Sequence, residues 1–250
     1  MNFLVANDRS IHTLFPIFIH ELSIHMPIQR ESIHYDLKQE NIFKVVYDEI
    51  FVREDYKVQL KRKDPVIFDC GANIGLASLY FAELYPEASI VAFEPNPSAV
   101  VYFQKNTKEL RESGKLLFNQ VALGKVNSTG HFNATSLPGS VFASSVFKFS
   151  GPIVPVQFRK LSDFTAEYDL IDFAKIDVEG AEWEILDDLI ASDSLRKIDQ
   201  LIVEHHQLYD EADRSTEFID IFEQHGFEVN IRSTFKTKPF ACMVLHCSKI

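Results

Sequence analysis

The sequence predicts an α/β domain in which seven strands form a mostly parallel sheet. Apolar, strand-like runs alternate with helical patterns from residue 66 onward, and this alternation is typical of parallel strands joined by crossover helices. A glycine-containing turn links the first strand pattern to the first helix pattern. Only residues 233–239 separate the last two strand patterns, so we predict that these two strands form an antiparallel hairpin.

Composition excludes several broad classes of protein. The chain has 250 residues, 46% of them apolar, which is enough for one substantial core. A net charge of −11 and the lack of Lys or Arg runs argue against a nucleic-acid partner. Three cysteines fit no disulfide framework, the N-terminus lacks the basic residues of a secretion signal, and no apolar run could span a bilayer. We therefore expect a cytoplasmic protein without a membrane span.

The chain divides near residue 60. Residues 1–60 are expected to form a helical cap packed on the main domain, 61–250, as one compact unit. Asn41 is a candidate N-cap for a short helix in this cap. The apolar residues of that helix recur at helical spacing: Ile42, Val45, Val46 and Ile50.

The first half of the main domain alternates between strand and helix. Asn96 and Pro97 form a good helix start, since Asn caps the free N–H groups and Pro suits the first helical position. That helix is expected to run to about Leu110. The other expected elements are strands at Val66–Asp69, Ser89–Glu94 and Leu116–Leu123, and a helix from Leu76 to Leu84 that ends near Pro86.

Residues 124–158 interrupt this rhythm. They are rich in Ser, Gly, Phe and Pro, and an insert of this size is expected to form a hairpin or lid. Its phenylalanines (Phe132, Phe142, Phe147 and Phe149) could face a core or a substrate. The later elements are a strand at Phe173–Asp177, a helix at Glu182–Ile190, a strand at Leu201–Glu204 and a helix around Phe218–His225 closed by Gly226.

The turn from Asp69 to Gly75 indicates a nucleotide-type cofactor, and its residues discriminate between three ligands. A phosphate-binding loop requires Gly-Lys-Ser/Thr, whereas Gly75 is followed by Leu76. A dinucleotide site requires Gly-x-Gly-x-x-Gly, of which only Gly71 is present. S-adenosylmethionine fits better, because Asp69 and Glu94 end neighbouring strands and Glu94 could accept both ribose hydroxyls. Asn73 tolerates the positive φ of a glycine position.

Four stretches, the first of which contains this turn, give the sequence a specific family resemblance. The chain resembles the FkbM family of S-adenosylmethionine-dependent methyltransferases over roughly residues 45–232. The resemblance implies a Rossmann-like class I methyltransferase fold and methyl transfer to hydroxyls of natural products and sugars. The matching stretches are Phe68–Gly75, Ala92–Pro97, Val121–Gly124 and Lys175–Glu182, with Glu49–Phe51 and Tyr56 resembling the segment before the first strand.

In this fold the ligand lies over the carboxyl ends of the parallel strands. The segment Asn119–Ala122 is assigned to the adenine edge, mainly through its backbone groups. The residues expected to bind the cofactor are Glu49, Tyr56, Asp69, Gly71, Ala72, Asn73, Gly75, Glu94, Pro95, Asn96, Asn119, Gln120, Val121, Ala122 and Asp177.

Asp177, Glu179 and His206 are the candidate catalytic residues, because transfer to a hydroxyl requires removal of its proton. His206 is expected to follow the fifth strand, at the same rim as the two carboxylates. Lys175 is expected to pair with a carboxylate, and Glu182 could simply favour the helix N-terminus. No metal is expected, since no dense ligand cluster appears, although Asp177 and Glu204 could join a histidine around a divalent ion.

The leading functional hypothesis is an O-methyltransferase acting on a hydroxyl of a small natural product or sugar. The alternative is methylation of a carboxylate in a peptide or small acid. Two less favoured hypotheses are an NAD-linked oxidoreductase, which should not bind S-adenosylhomocysteine, and a non-catalytic Rossmann module. A non-catalytic module would be expected to lose Asp69, Gly71 or Glu94, and all three are present.

Overall fold

The computed structural model describes residues 28–133, 152–208, 212–237 and 240–250. Helices and strands alternate through most of this range, as the sequence predicts. The helices are α1 (Glu40–Tyr47), α2 (Leu76–Leu84), α3 (Pro97–Asn106), α4 (Lys108–Glu112), α5 (Leu161–Thr165), α6 (Glu182–Ala191) and α7 (Ser215–Gln224). The strands are β1 (Val66–Cys70), β2 (Ser89–Phe93), β3 (Leu116–Asn119), β4 (Ala122–Leu123), β5 (Ser128–Asn133), β6 (Ile153–Arg159), β7 (Ile171–Ile176), β8 (Ile198–Leu208), β9 (Phe227–Thr237) and β10 (Phe240–Lys249).

A seven-stranded sheet forms the centre of the molecule, in the order β3-β2-β1-β7-β8-β10-β9. The pairs from β3 to β8 are parallel, whereas β10 is antiparallel to both β8 and β9. This arrangement confirms the predicted mostly parallel sheet with a C-terminal antiparallel hairpin. The strand order reverses between β1 and β7, which is where ligands bind in open sheets of this type.

The register of the parallel strands brings their carboxyl ends to one edge. Cys70, the last residue of β1, lies opposite Phe93 on one side and Ile176 on the other. Phe93 in turn pairs with Asn119, and Ile176 pairs with Val203. The residues that follow these positions therefore meet along a single rim.

Two hydrophobic layers cover the faces of the sheet. Alternation along β1 sends Ile67 to one layer and Phe68 to the other, and both are fully buried. Burial of each such side chain contributes about 1.5–3 kcal/mol. Helices α5, α6 and α7 cover the Phe68 face, whereas α2, α3 and the segment before β1 cover the Ile67 face. The chain belongs to the layered α/β class, as predicted.

The predicted third strand, Leu116–Leu123, is divided in the structure. Its first part is β3 of the main sheet, and its second part, β4, belongs to a three-stranded sheet of order β4-β6-β5. The chain turns at Gln120, where the Val121 N–H donates to the Asn119 carbonyl at 3.0 Å. The break arises because β4 pairs with β6 rather than continuing beside β2.

The insert contributes the rest of the smaller sheet. β5 and β6 pair in antiparallel fashion, and Phe132 is buried against Ala122 and Val156. Residues 134–151, which include Phe142, Phe147 and Phe149, lie outside the described part of the chain.

Two helix predictions require correction. Asn41 is not a cap, because α1 begins at Glu40 and Asp36 caps the short turn before it by accepting from the Lys38 N–H at 2.9 Å. Val45 is 56% exposed, and Phe43 takes the buried position instead. The helix expected to reach Leu110 ends at Asn106 and restarts as α4. The Asn96–Pro97 helix start is confirmed, since Asn96 Oδ1 accepts from the Ser98 N–H at 3.1 Å.

The N-terminal segment lies against the Ile67 face. Residues 1–27 of the expected cap lie outside the described part of the chain. After α1 the chain makes a π-helical turn at Asp48–Val52, and its Ile50 packs with Tyr56 and Val58 against Tyr80 of α2. In the described ranges, no helix combines the length and apolar character needed to cross a membrane.

Candidate active site

The glycine turn after β1 is fixed by close packing within the chain. A Cβ on Gly71 would lie 1.7 Å from the Asp177 carbonyl oxygen, and one on Gly75 would lie 2.9 Å from Thr107 Cγ2. Both glycines have positive φ values, and Asn73 between them has φ +48°, as predicted for a residue that replaces a glycine. The turn therefore brings the end of β1 into direct contact with the residue that follows β7.

Glu94, the residue after β2, is a buried acceptor beside this turn. Its carboxylate accepts from the Asn73 N–H at 2.8 Å and from the Asn96 N–H at 2.7 Å. Burial raises the pKa of Glu94 to about 7, and the two N–H donors oppose this shift only in part. Each carboxylate oxygen retains a lone pair for a further donor.

Two residues whose backbones contact Glu94 carry side-chain atoms without a hydrogen-bond partner. Within the described residues, Asn73 Oδ1 and Asn119 Nδ2 are buried without a hydrogen bond. Both residues also contact Glu94 through their backbones, since the Glu94 N–H donates to the Asn119 carbonyl at 3.2 Å. Buried polar groups normally have partners, so these atoms indicate a polar ligand at this position.

Asp69, in contrast, is used within the chain. Its side chain is fully buried and accepts from Ser78 Oγ at 2.6 Å, and burial raises its pKa. Its second oxygen lies 3.8 Å from Lys175 Nζ. The contacts of the Asp69 carboxylate in the structure are with Ser78 and Lys175. Direct contact between Asp69 and a cofactor therefore remains a prediction.

Lys175 connects the turn to the end of β7. Its ammonium donates to the Gly71 carbonyl at 2.8 Å and pairs with Asp177 at 3.0 Å. It also lies 5.6 Å from the ring centre of Tyr56. Although burial alone would lower the pKa of Lys175, the charges of Asp177 and Asp69 raise it above its ordinary value. The predicted pairing of Lys175 with a carboxylate is therefore present.

The loop between β7 and α6 carries Glu179 in a left-handed conformation. Its φ is +58°, which is unusual for a residue with a Cβ. Glu182 holds this loop, because its buried carboxylate accepts from the Val178 N–H at 3.2 Å and the Gly180 N–H at 3.0 Å. Glu182 thus does more than favour a helix N-terminus.

His206 lies within β8 rather than after it, which corrects the prediction. The strand continues to Leu208 because β10 pairs along it as far as that residue. His206 Nδ1 lies 3.1 Å from Glu182 Oε1, and Nε2 lies 3.7 Å from Glu179 Oε2. Burial opposes a charge on the imidazole, but these carboxylates raise the pKa of His206 well above its ordinary value. Burial also raises the pKa of Glu179.

Glu204 and Cys242 complete this cluster. The Tyr56 hydroxyl donates to Glu204 Oε1 at 2.5 Å, and Cys242 Sγ lies 4.0 Å from Glu204 Oε2. Burial raises the pKa of Glu204 to about 7 and also raises that of Cys242. Sequence reasoning missed Cys242, which comes beside His206 only through the pairing of β10 with β8.

Two sets of side chains could hold a metal ion, contrary to the expectation that no dense ligand cluster exists. Each set offers ligand atoms within 4.8 Å of one another in the described part of the chain. The sets are Glu204, His206 and Cys242, and Asp177, Glu179 and His206.

The other predicted cofactor residues line the same rim or lie near it. Glu49 pairs with Arg53 at 3.0 Å, and burial raises its pKa. Gln120 is exposed at the turn between β3 and β4, with Pro95 and Val121 half-buried and Ala72 and Ala122 buried. Contact of these residues with a cofactor remains a prediction.

Known proteins resemble this chain in sequence and fold. A family model described as the methyltransferase FkbM domain matches residues 69–229. The methyltransferase sdnD of Sordaria araneosa is 33% identical over 175 residues, which are 56% of this chain and 66% of that protein. Methyltransferase 1 of Beauveria bassiana is 30% identical over 220 residues, covering 80% of this chain and 81% of that protein.

A further relative and a solved structure agree with these matches. The 31-O-demethyl-FK506 methyltransferase FkbM of Streptomyces tacrolimicus is 28% identical over 218 residues, covering 74% of this chain and 81% of that protein. The crystal structure of a methyltransferase FkbM from Methylobacillus flagellatus matches with a TM-score of 0.50 and 14% identity, covering 86% of this chain and 56% of that one. At this identity, the structural match concerns the fold alone.

Proposed function

This chain belongs to the FkbM family and is a methyltransferase, and we propose that it transfers a methyl group from S-adenosylmethionine to a hydroxyl oxygen of a small natural product or sugar. One observation carries the proposal: two groups of side chains lie on the same rim of the sheet. The first is the buried carboxylate of Glu94, a hydrogen-bond acceptor with residues next to it that carry unpartnered polar side-chain atoms. The second is the group that includes Asp177 and Glu179, which could accept a proton. Because the chain is a methyltransferase, the two less favoured hypotheses, an NAD-linked oxidoreductase and a non-catalytic Rossmann module, no longer apply.

The rim around Glu94 suits the cofactor. S-adenosylmethionine supplies an electrophilic methyl group on a sulfonium sulfur. Glu94 would accept from the ribose hydroxyls, and the unpartnered Asn73 Oδ1 and Asn119 Nδ2 offer an acceptor and a donor beside it. The turn at the exposed residue Gln120 would present backbone groups to the adenine edge. Lys175 would keep the glycine turn in place through the Gly71 carbonyl.

The second group of side chains would remove the acceptor proton. Asp177 and Glu179 have partly exposed carboxylates, each 21% accessible, and His206 lies 3.7 Å from Glu179. Asp177 and Glu179 flank Val178, so a hydroxyl placed at this rim would meet a proton acceptor within a short distance. We assign the proton to the two carboxylates, Asp177 and Glu179. His206, whose pKa is raised by Glu179 and Glu182, would hold Glu179 in place rather than accept the proton itself.

The acceptor atom is proposed to be oxygen because of the relatives as well as the site. The relative from Streptomyces tacrolimicus is named for a 31-O-demethyl substrate. The second candidate, a carboxylate of a peptide or small acid, needs no proton removal at neutral pH. The abundance of carboxylates around His206 would repel such an acceptor, so a neutral hydroxyl is favoured.

Two measurements test the proposal. Calorimetric titration with S-adenosylhomocysteine should show binding to the purified chain, and NAD should show none. Labelled S-adenosylmethionine should then transfer its methyl group to members of a panel of hydroxylated macrolides and glycosides, but not to matched carboxylic acids. Absence of S-adenosylhomocysteine binding would refute the cofactor assignment, and labelling of the acids alone would refute the hydroxyl.

Asp177→Asn and His206→Ala test the proton assignment. Both variants should bind S-adenosylhomocysteine within a few-fold of the parent protein and lose about a hundredfold or more in turnover. Exposed Glu184 on α6 provides a matched control, Glu184→Gln, which should retain turnover. Full turnover in both site variants would show that other groups take the proton.

A further inference from the structure

Three side chains of different chemistry meet on one face of the antiparallel pair β8–β10. Cys242 lies directly opposite His206, and Glu204 precedes His206 by two positions on the same strand. Opposite residues in an antiparallel pair share a face of the sheet, as do residues two apart in a strand. This is why a thiol, an imidazole and a carboxylate each place a ligand atom within 4.8 Å of the others.

Neighbouring side chains hold the atoms of these groups that face away from the cluster. The Tyr56 hydroxyl bonds Glu204 Oε1 at 2.5 Å, while the other oxygen, Oε2, lies 4.0 Å from Cys242 Sγ. The buried carboxylate of Glu182 lies 3.1 Å from His206 Nδ1. Nε2, which lies 3.7 Å from Glu179 Oε2, is the nitrogen that would bind the ion. Metal-binding histidines and carboxylates are usually supported in this way by a second partner.

We propose that Glu204, His206 and Cys242 bind a divalent transition metal ion of the zinc type. A thiolate, an imidazole and a carboxylate form a donor set that Zn²⁺ accepts in tetrahedral sites, whereas Mg²⁺ and Ca²⁺ prefer oxygen ligands throughout. Three protein ligands leave a fourth position open, which is the arrangement of catalytic rather than structural zinc sites. The all-oxygen-and-imidazole set of Asp177, Glu179 and His206 is the competing arrangement.

The role of this ion, although not its binding, rests on the proposed function. An acceptor hydroxyl at the open position would be acidified by the ion. The proton would pass to Asp177 or Glu179, and the oxygen would form a bond to the methyl carbon as the methyl–sulfur bond of the sulfonium breaks. The electron pair of that bond would stay on the sulfur, and neutral S-adenosylhomocysteine would leave. His206 would then serve as a ligand, and the two carboxylates would take the proton.

Cobalt titration of the purified chain tests the site without an acceptor. After treatment with a chelator and a reductant, Co²⁺ should bind with a stoichiometry of one and produce the intense near-ultraviolet absorption of a thiolate–cobalt bond. Cys242→Ser should lose this absorption. Cys247→Ala is the matched control, because Cys247 lies on the same strand but is buried in the core, and it should keep the absorption.

Two further variants keep the test decisive if Cys242→Ser folds poorly. His206→Ala should lose cobalt binding. Tyr56→Phe should weaken it by about tenfold to a hundredfold, because only the partner that orients Glu204 is removed. The thermal unfolding temperature of the metal-free parent protein should rise when Zn²⁺ is added, whereas that of metal-free Cys242→Ser should not.

Three results would overturn the site. They are no thiolate absorption in the parent protein, absorption that persists in Cys242→Ser, or equal cobalt affinity in all variants. Binding that requires Asp177 and Glu179 but not Cys242 would assign the ion to the competing set and also refute the proposal. Titration with S-adenosylhomocysteine in the same samples tests the proposed function separately, so the two can fail independently.

Discussion

The buried carboxylate of Glu94 should lower the stability of the ligand-free protein and raise its affinity for the cofactor. Glu94→Gln allows both effects to be measured. The residue is only 7% exposed, and burial raises its pKa from the ordinary 4.5 to about 7. An acid with a higher pKa in the folded state binds its proton preferentially there. The free energy of unfolding should therefore decrease as the pH rises from 4.5 to 7, and this cost is absent below 4.5.

The magnitude follows from the shift. One pKa unit corresponds to about 1.4 kcal/mol, so ionised Glu94 costs the ligand-free fold roughly 3 kcal/mol above neutral pH. Glutamine removes this cost but keeps one acceptor oxygen for the two N–H donors of Asn73 and Asn96. The lost hydrogen bond costs about 1 kcal/mol. We expect Glu94→Gln to be about 2 kcal/mol more stable than the parent protein at alkaline pH, and slightly less stable at acidic pH.

Urea unfolding of the parent protein and of Glu94→Gln, without cofactor and from acidic to alkaline pH, measures the difference between their free energies of unfolding. The contributions of other titrating groups cancel, because both proteins contain them. Calorimetry with S-adenosylhomocysteine should show at least about a tenfold loss of affinity in Glu94→Gln, because one charged acceptor for the ribose is gone. Glu112→Gln, at an exposed position on α4, is the control and should change neither property. A stability difference that does not vary with pH, or a variant that is less stable at alkaline pH, would refute the reasoning.

Three substitutions test other parts of the structure by urea unfolding. Gly71→Ala should lower the free energy of unfolding by about 3 kcal/mol or more, because its Cβ would overlap the Asp177 carbonyl. Gly114→Ala is the control: Gly114 also has a positive φ, +74°, but open space around it, so the loss should be only about 1–2 kcal/mol. Equal losses in the two variants would contradict the packing argument. Lys175→Met should cost about 3–5 kcal/mol by leaving buried carboxylates unpaired, and a loss under about 1 kcal/mol would contradict this. His205→Phe should stabilise the fold by about 1 kcal/mol, since the buried imidazole has no hydrogen-bond partner and stacks on Phe218 at 4.3 Å. Burial lowers the pKa of His205, so the gain should grow as the pH falls below 6.5, and a gain that shrinks would refute that sign.

The sequence predicted the elements whose signals are local. Asn96 and Pro97 define a helix start by their own chemistry, and the Asp69–Gly75 turn reveals itself through residues that tolerate positive φ. The features that were missed depend on distant parts of the chain. Strand β8 extends past Glu204 because β10 pairs with it. The predicted strand Leu116–Leu123 is divided because its second part, β4, pairs with β6.

The candidate site shows the same division. Asp177, Glu179 and Glu94 could be chosen because each follows an apolar strand run, and parallel strands end at one rim. Cys242 could not be chosen, since only the register of β10 against β8 places it opposite His206. The supporting role of Glu182 was also hidden, because its carboxylate extends from the start of α6 to a histidine on strand β8.

The charges of this rim explain why its parts depend on one another. Asp69, Asp177 and Glu204 all act on the buried ammonium of Lys175, while Glu179 and Glu182 both act on His206. Acidic groups therefore exceed the cations that neutralise them, and burial makes that excess costly. The sulfonium of a bound cofactor and a divalent cation at Glu204 would each add positive charge to this acidic rim. The excess of buried negative charge destabilises the ligand-free protein, and the same charge would favour cationic ligands. Removal of one carboxylate, as in Glu94→Gln, is therefore expected both to stabilise the fold and to weaken binding.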